Sequence, residues 1–261
     1  MRITSAANPV YRQLQRLASG PRACREAGRT LAEGVHLVEC AASAGADMQT
    51  VVLSEAATAE ARSLGAAVAA RAGCRIIELP PRLYNALSPV EHGSGVLAEI
   101  AITKHELPHR LEVDAIYLDG VQDPGNVGTL LRTAAAAGIR HVAASTGTAF
   151  LWSPKVLRAA MGAHFVLALY EDVAADQLAG AFAAERLAAD AHGTESLYAG
   201  DWGAAPTVWL FGAEGSGLTA ATAMLAQRRL RIPIDPQVES LNVAAAAAIC
   251  LFEQRRRRGQ G

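Results

Sequence analysis

The sequence predicts an α/β protein, with a C-terminal, mostly parallel sheet covered by helices and a small N-terminal α/β domain ahead of it. Three observations carry that expectation. From residue 112 onward, short apolar runs alternate with helical apolar patterns, as strand–helix–strand units require. Apolar residues make up 51% of the 261 and charged residues 19%, enough for a sizeable core and too apolar for a disordered chain. Between the halves, Lys104 to Leu111 interrupts the pattern with Pro108 and several charges. The expected division is therefore residues 1–103, a linker over 104–111, and residues 112–261.

In the N-terminal part, Val10, Leu14, Leu17 and Ala18 recur at helical spacing over Asn8–Ser19, and Pro9 suits an opening turn. Arg12 and Arg16 are four apart and share a face away from that stripe. A short apolar run follows near Thr30–Ala32, then a helical pattern through Val35, Leu37, Val38, Ala41 and Ala42. Val51–Leu53 reads as a buried strand, Glu55–Ala72 as an alanine-rich helix, and Arg75–Leu79 and Gly95–Ile102 as strands. In the C-terminal part, strands are expected at Ala115–Leu118, His141–Ala144, Phe165–Leu169, Arg186–Ala189, Thr207–Phe211 and Leu230–Ile234. Helices are expected over Val127–Ala137, Pro154–Ala160, Ala174–Ala184, Ala220–Ala226 and Val243–Arg255.

Several classes are excluded at this level. No uninterrupted apolar stretch approaches the ~20 residues of a membrane span. Met1–Gly20 lacks the apolar core of a signal peptide. Cys24, Cys40, Cys74 and Cys250 form no CxxC pair, which argues against a zinc ribbon, a thioredoxin motif or a disulfide framework. The expectation is a reduced, cytoplasmic protein with no membrane and no metal. The net charge of −1 hides clusters: residues 1–30 hold six arginines against the single acid Glu26, and Arg255–Arg258 form a basic tail. Clustered arginine suits phosphate, and we take Arg2, Arg12, Arg16 and Arg22 as candidate nucleic-acid contacts. The scarcity of lysine elsewhere, Lys104 and Lys155 alone, is read as coding bias.

In parallel α/β folds ligands bind beyond the carboxyl ends of strands, so the loops after Leu118, Phe211 and Ile234 should carry chemistry. The first runs from Asp119 to Gly128, with Asn126 placed to cap the following helix and Arg132 one turn beyond Gly128, where a buried arginine could hold a phosphate or a developing negative charge. The second, Gly212-Ala213-Glu214-Gly215-Ser216-Gly217-Leu218-Thr219, sets three glycines around one acid. The third, Asp235 to Val243, offers Ser240 and Asn242 at a helix start, followed by five alanines that suit close packing. Each loop taken alone is also compatible with an ordinary connection. The pattern contains neither GxGxxG nor GKS/T, so dinucleotide and P-loop readings fit poorly.

Together, DPGNVGTLLRTAAAAG, FGAEGSGL and IPIDPQVESLNVAAAAAI resemble the three signature motifs of the SpoU/TrmH family of ribose 2′-O-methyltransferases, in the SPOUT superfamily. The resemblance spans about Val113 to Phe252. Residues 1–103 are similar to the family's ribosomal-protein-like substrate-binding domain, best over Leu31–Val38. The resemblance implies a deep trefoil knot, S-adenosyl-L-methionine as cofactor, a homodimer, and RNA as partner, ribosomal RNA ahead of tRNA. It places cofactor contacts at Gly212, Ile232 and Leu241, and catalytic positions at Asn126, Arg132, Glu214, Ser240 and Asn242. Glu214 is expected to orient Arg132 or a neighbouring donor. A tRNA 2′-O-methyltransferase and a non-catalytic RNA-binding protein are the alternatives.

Overall fold

Runs rich in Val, Ile, Leu and Ala, buried on both faces, give two separate sheets in the computed structural model, which describes residues 1–88 and 93–259. The chain divides into two compact units: Met1–Thr103 with Trp152–Phe165, and Lys104–Leu151 with Val166–Gly261.

The first unit begins with helix α1 (Pro9–Ser19) and helix α2 (Pro21–Ala27), followed by strand β1 (Arg29–Glu33), α3 (Val35–Ser43), β2 (Met48–Ser54), α4 (Ala59–Ala72), β3 (Arg75–Leu79), α5 (Pro81–Asn85) and β4 (Val96–Ala101). Its sheet has the order β1-β4-β2-β3, with β4 antiparallel to both neighbours and β2 parallel to β3. The Asn8 side chain caps α1 by accepting from the Val10 amide at 2.9 Å. Leu14 and Leu17 are buried and Arg12 and Arg16 face solvent, as the spacing predicts, whereas Tyr11 takes the buried place expected of Val10, which like Ala18 is only half-buried. Helix α4 starts four residues later than expected, because Thr58 caps it with an acceptor for the Ala61 amide at 3.2 Å.

The second unit holds β5 (Ala115–Asp119), α6 (Pro124–Ala136) and β6 (His141–Ala144). The chain then forms α7 (Pro154–Ala160), in the segment that packs with the first unit through β1, where the Thr30 hydroxyl donates to the Trp152 carbonyl at 2.7 Å. It returns as β7 (Ala168–Tyr170), α8 (Ala175–Ala181), β8 (Glu185–Ala189), β9 (Glu195–Ser196), β10 (Thr207–Gly212), α9 (Ala220–Ala223), β11 (Arg228–Arg231) and α10 (Val243–Arg257). Among the described residues this sheet has the order β7-β6-β5-β10-β8-β11-β9 with parallel pairing throughout.

The structure differs from the sequence expectations at identifiable places. The stretch read as a linker is packed, with Leu107 and Leu111 against the Tyr117–Phe182 core and the Leu111 amide donating to Ala181 at 2.9 Å. Residues 152–165, assigned by linear reading to the second domain, belong with the first unit. The strand expected at Phe165–Leu169 begins at Ala168, since Ala163–Phe165 forms a 3₁₀ turn. The strand expected to reach Ile234 stops at Arg231, two residues before Pro233, which has no N–H to donate to a ladder. Arg256, Arg257 and Arg258 of the basic tail pair within the protein rather than forming a free patch, although Arg256 stays exposed. Arg256 and Arg257 pair with Glu253 at 2.7 and 2.9 Å, Arg257 lies 4.4 Å over the Trp202 ring, and Arg258 pairs with Asp114 and the Gly203 and Ala205 carbonyls. No helix among the described residues is long and apolar enough to cross a membrane.

Candidate functional site

The carboxyl ends of β5, β10, β8 and β11 lie side by side, so the loops that follow them converge. After β5, Asp123 rather than Asn126 caps α6, accepting from the Asn126 amide at 2.8 Å. Pro124 explains the shift: its fixed φ and missing N–H suit the first helical position, so the helix starts two residues before Asn126. The Asn126 side chain is thereby released from capping. Beneath this loop, burial and the nearby Asp119 push the Tyr117 hydroxyl up to about 12, so it remains a donor, to the Val173 carbonyl at 2.8 Å.

After β10 the chain turns back on itself. A Cβ on Gly212 would run into the backbone of Gly217, and Ala213 and Gly217 exchange amide–carbonyl bonds of 3.0 and 2.9 Å. Gly217, at φ +66°, makes that reversal. Glu214 is left at the exposed tip of the loop. After β11, Asn242 caps α10, its side-chain oxygen accepting from the Ala244 and Ala245 amides at 2.9 and 3.3 Å.

These loops meet in a directed chain of hydrogen bonds. With its oxygen committed to the start of α10, the Asn242 amide donates to Asn126 Oδ1 at 2.9 Å. The Asn126 amide therefore points its own donor at Glu214 Oε1, at 2.8 Å. Each orientation follows from the one before, because an amide side chain presents an acceptor on one side and donors on the other. Of the two partners expected for Glu214, Arg132 or a neighbouring donor, its carboxylate meets the donor Asn126 and not Arg132.

A cavity of about 690 Å³ opens against this chain. Gly212, Ile232 and Leu241 all line it, as do Glu214 and Ser240. Asn126 and Asn242 are not among the lining residues and join the site through the hydrogen-bond chain. Arg132 is exposed rather than buried, makes no hydrogen bond or ion pair among the described residues, and does not line the cavity. Helix geometry explains this: Gly128, Leu131 and Ala134 take the core-facing side of α6. Of the arginines in the first unit, Arg2 is paired with Glu55 at 2.7 Å and Arg22 with Glu26 at 2.8 Å, whereas Arg12 and Arg16 have no acidic partner among the described residues.

Residues 115–252 match the SpoU rRNA Methylase family. The chain belongs to that family. Residues 8–98 of this SpoU chain match the MRM3-like substrate binding domain. An uncharacterized tRNA/rRNA methyltransferase of Synechocystis is 32% identical over 97% of this chain and 93% of its own length. The 23S rRNA (guanosine(2553)-2′-O)-methyltransferase RlmP of Bacillus subtilis is 29% identical, covering 86% of this chain and 88% of the relative. Among solved structures, the AdoMet-bound rRNA methyltransferase of Sinorhizobium meliloti superposes with a TM-score of 0.86 at 28% identity over 98% of both chains. The chain spans about half, 49%, of the length of the human mitochondrial rRNA methyltransferase 3, to which it is 30% identical over 59% of its own residues.

The motifs did not point to one wall of the cavity in this SpoU chain. Ala189 to His192 and Arg229 also line it, with Asp190 paired to Arg229 at 2.6 Å and accepting from the His192 amide at 2.9 Å. The signal for these residues is strand order. Because β8 lies between β10 and β11, anything held by the loops of the outer two must sit over the end of the middle one.

Proposed function

We propose that the protein transfers a methyl group from S-adenosylmethionine to a ribose 2′-hydroxyl of ribosomal RNA. The observation that carries this reading is the cavity of glycine backbone and apolar side chains with the Asn242–Asn126–Glu214 chain at its edge. The cavity suits the cofactor in size, within the ~300–1,000 Å³ of small-molecule sites. It also suits it chemically: Ile232, Ile234, Leu241, Val243 and Ala246 offer apolar surface to an adenine ring, and Gly212, Gly215 and Gly217 expose backbone groups to its polar edges.

When bound, S-adenosylmethionine supplies a methyl group already activated by its sulfonium. In this reading Gly212, Ile232 and Leu241 hold the adenosine, and the trefoil knot runs through the loops after β10 and β11. Glu214, fixed by Asn126, accepts a hydrogen bond at the mouth, while Ser240 and Asn242 hold the ribose and the loop that carries them. Arg132 supplies a cation that stabilises the ribose oxygen as its proton passes to solvent water. A guanidinium stays protonated at any working pH, so it acts electrostatically and not as the base.

The protein works as a homodimer. Ala245, Ala248, Ile249 and Phe252 form a stripe at helical spacing on the outer side of α10, and Phe252 is 47% exposed. A second copy covers that stripe and brings Arg132 of one copy to the cavity of the other, which accounts for its distance from its own. Arg12 and Arg16 make the first RNA contacts, and Arg2 and Arg22 exchange their acids for phosphates on binding. The reaction is placed in the cytoplasm.

The test is methylation of ribosomal and transfer RNA by the purified protein with labelled S-adenosylmethionine, followed by mapping of alkali-resistant linkages. Label at a ribose of ribosomal RNA is expected. Label in tRNA alone would move the substrate, and RNA binding without label would leave a non-catalytic binding protein.

A further inference from the structure

The glycine-rich loop after β10 is held at its two ends in different ways. At its start, Gly212 is paired with Asp119 in the β10–β5 ladder. At its finish, the Thr219 amide donates to Asp119 Oδ2 at 2.7 Å, across a separation of 100 residues. One residue therefore fixes both ends of the loop that carries Glu214. Asp119 is only 3% exposed, and a carboxylate is costly to bury without a bound donor. The strand end around it is itself immobilised. The Gly120 amide donates to Ser145 Oγ at 2.9 Å and to Thr148 Oγ1 at 3.2 Å, and the Thr148 hydroxyl donates to the Leu118 carbonyl at 2.8 Å. Asp119 thus links a rigid strand end to a loop whose exposed tip is held, among the described residues, by the Glu214–Asn126 bond and its own Ala213–Gly217 bridge.

We propose that Asp119 is a positioning residue for the methyl-transfer site, setting the distance from Glu214 to Asn126 and the cofactor-facing backbone of Gly212 through its bond to the Thr219 amide. The proposal rests on the methyl-transfer reading above. Only an acceptor is required at this position, not a charge, and that separates the role from general electrostatics. Asp119→Asn retains an acceptor and is expected to bind S-adenosylmethionine within about twofold of the unaltered protein, while Asp119→Ala binds it about tenfold more weakly, the scale of one buried hydrogen bond. With cofactor saturating, Asp119→Ala should still turn over slowly, because Glu214 is displaced along with the loop.

Thr219→Pro provides an independent variant should Asp119→Ala fold poorly. Thr219 has φ −62°, which proline accepts, and the change deletes the amide donor. Thr219→Val, which keeps the amide and loses the capping hydroxyl, serves as its control and should stay near the unaltered protein. In a double-mutant cycle, Asp119→Ala with Thr219→Pro should be no worse than either alone. Cofactor titration and single-turnover methylation at saturating cofactor are the measurements. Unchanged affinity and turnover in Asp119→Ala, an Asp119→Asn variant as impaired as alanine, or additive losses in the cycle would overturn the assignment. Failure of the unaltered protein to bind S-adenosylmethionine would instead overturn the reading on which it rests.

Discussion

Arg132 and Asn126 sit six residues apart on one helix and have opposite surroundings: Asn126 is held on both sides and Arg132 is held by nothing among the described residues. An unpaired, exposed guanidinium contributes little to stability, so its replacement isolates function. Arg132→Ala and Arg132→Lys should each slow single-turnover methylation by ~10²–10³, about 3–4 kcal/mol, since lysine keeps the charge but loses the planar fork. S-adenosylmethionine titration should be unaltered, because the cavity is lined by other residues. Near-normal turnover in the alanine variant would remove Arg132 from the mechanism. His141 gives a pH prediction. Burial, with the neighbouring His105, lowers its pKa below 6.5, and its Nδ1 lies 2.9 Å from the Tyr170 hydroxyl. The unfolded chain therefore takes up this proton first as pH falls, so the stability from His141 is present above 6.5 and is lost on acidification through the folded value. Urea midpoints at about pH 8 and about pH 5.5 should converge in His141→Phe relative to the unaltered protein.

At the scale of elements, α10 shows how one helix serves two ends. Its start is capped by Asn242 and feeds the hydrogen-bond chain to Glu214, while its finish is clamped by arginines. Arg258 is 16% exposed at its side chain and satisfies Asp114 and two backbone carbonyls. Arg258→Ala removes the donors to the two carbonyls and leaves Asp114 with only the Thr207 amide and hydroxyl among the described residues, and should cost ~1–3 kcal/mol in denaturant unfolding. RNA affinity and its salt dependence should not change; a flatter salt slope in this variant would restore the tail to the RNA surface. Strand order works at the same scale. The insertion of β8 between β10 and β11 turns three loops into one cavity, and no single loop among them encloses a ligand.

At the scale of the whole molecule, two predictions concern association. Phe252→Arg places a charge on the outer stripe of α10 and is expected to give a monomer by light scattering at micromolar concentration, with turnover lost and the fold retained by circular dichroism. A dimer that survives this change would place the interface elsewhere. Arg12→Ala and Arg16→Ala should weaken ribosomal RNA binding without affecting cofactor affinity, and the salt slope should fall by about one unit for every phosphate no longer neutralised. An unchanged slope in the double variant would remove α1 from the RNA surface.

Several elements follow from the sequence alone. Arg75–Leu79 and His141–Ala144 form strands over the residues expected, because short apolar runs preceded by Gly73 and Gly138 leave little else for the chain to do. The glycines of the second loop likewise announce a tight reversal. Helix α5 was not legible, being too short to repeat a 3.6-residue period, nor was α2, which buries Cys24 alone and so shows no apolar stripe, nor the two-residue strand β9. What only the tertiary structure decided is which side chains meet. Asn126 reaches Glu214 across 88 residues and Asn242 across 116, whereas Arg132, on the same helix, touches neither. Arg257 and Arg258 turned inward because Glu253, Trp202 and Asp114 lay within reach. The physical reason is common to both: periodicity along the chain records which face of an element is buried, but partners for polar groups depend on which strand ends lie side by side, and that is fixed only when the sheet is assembled.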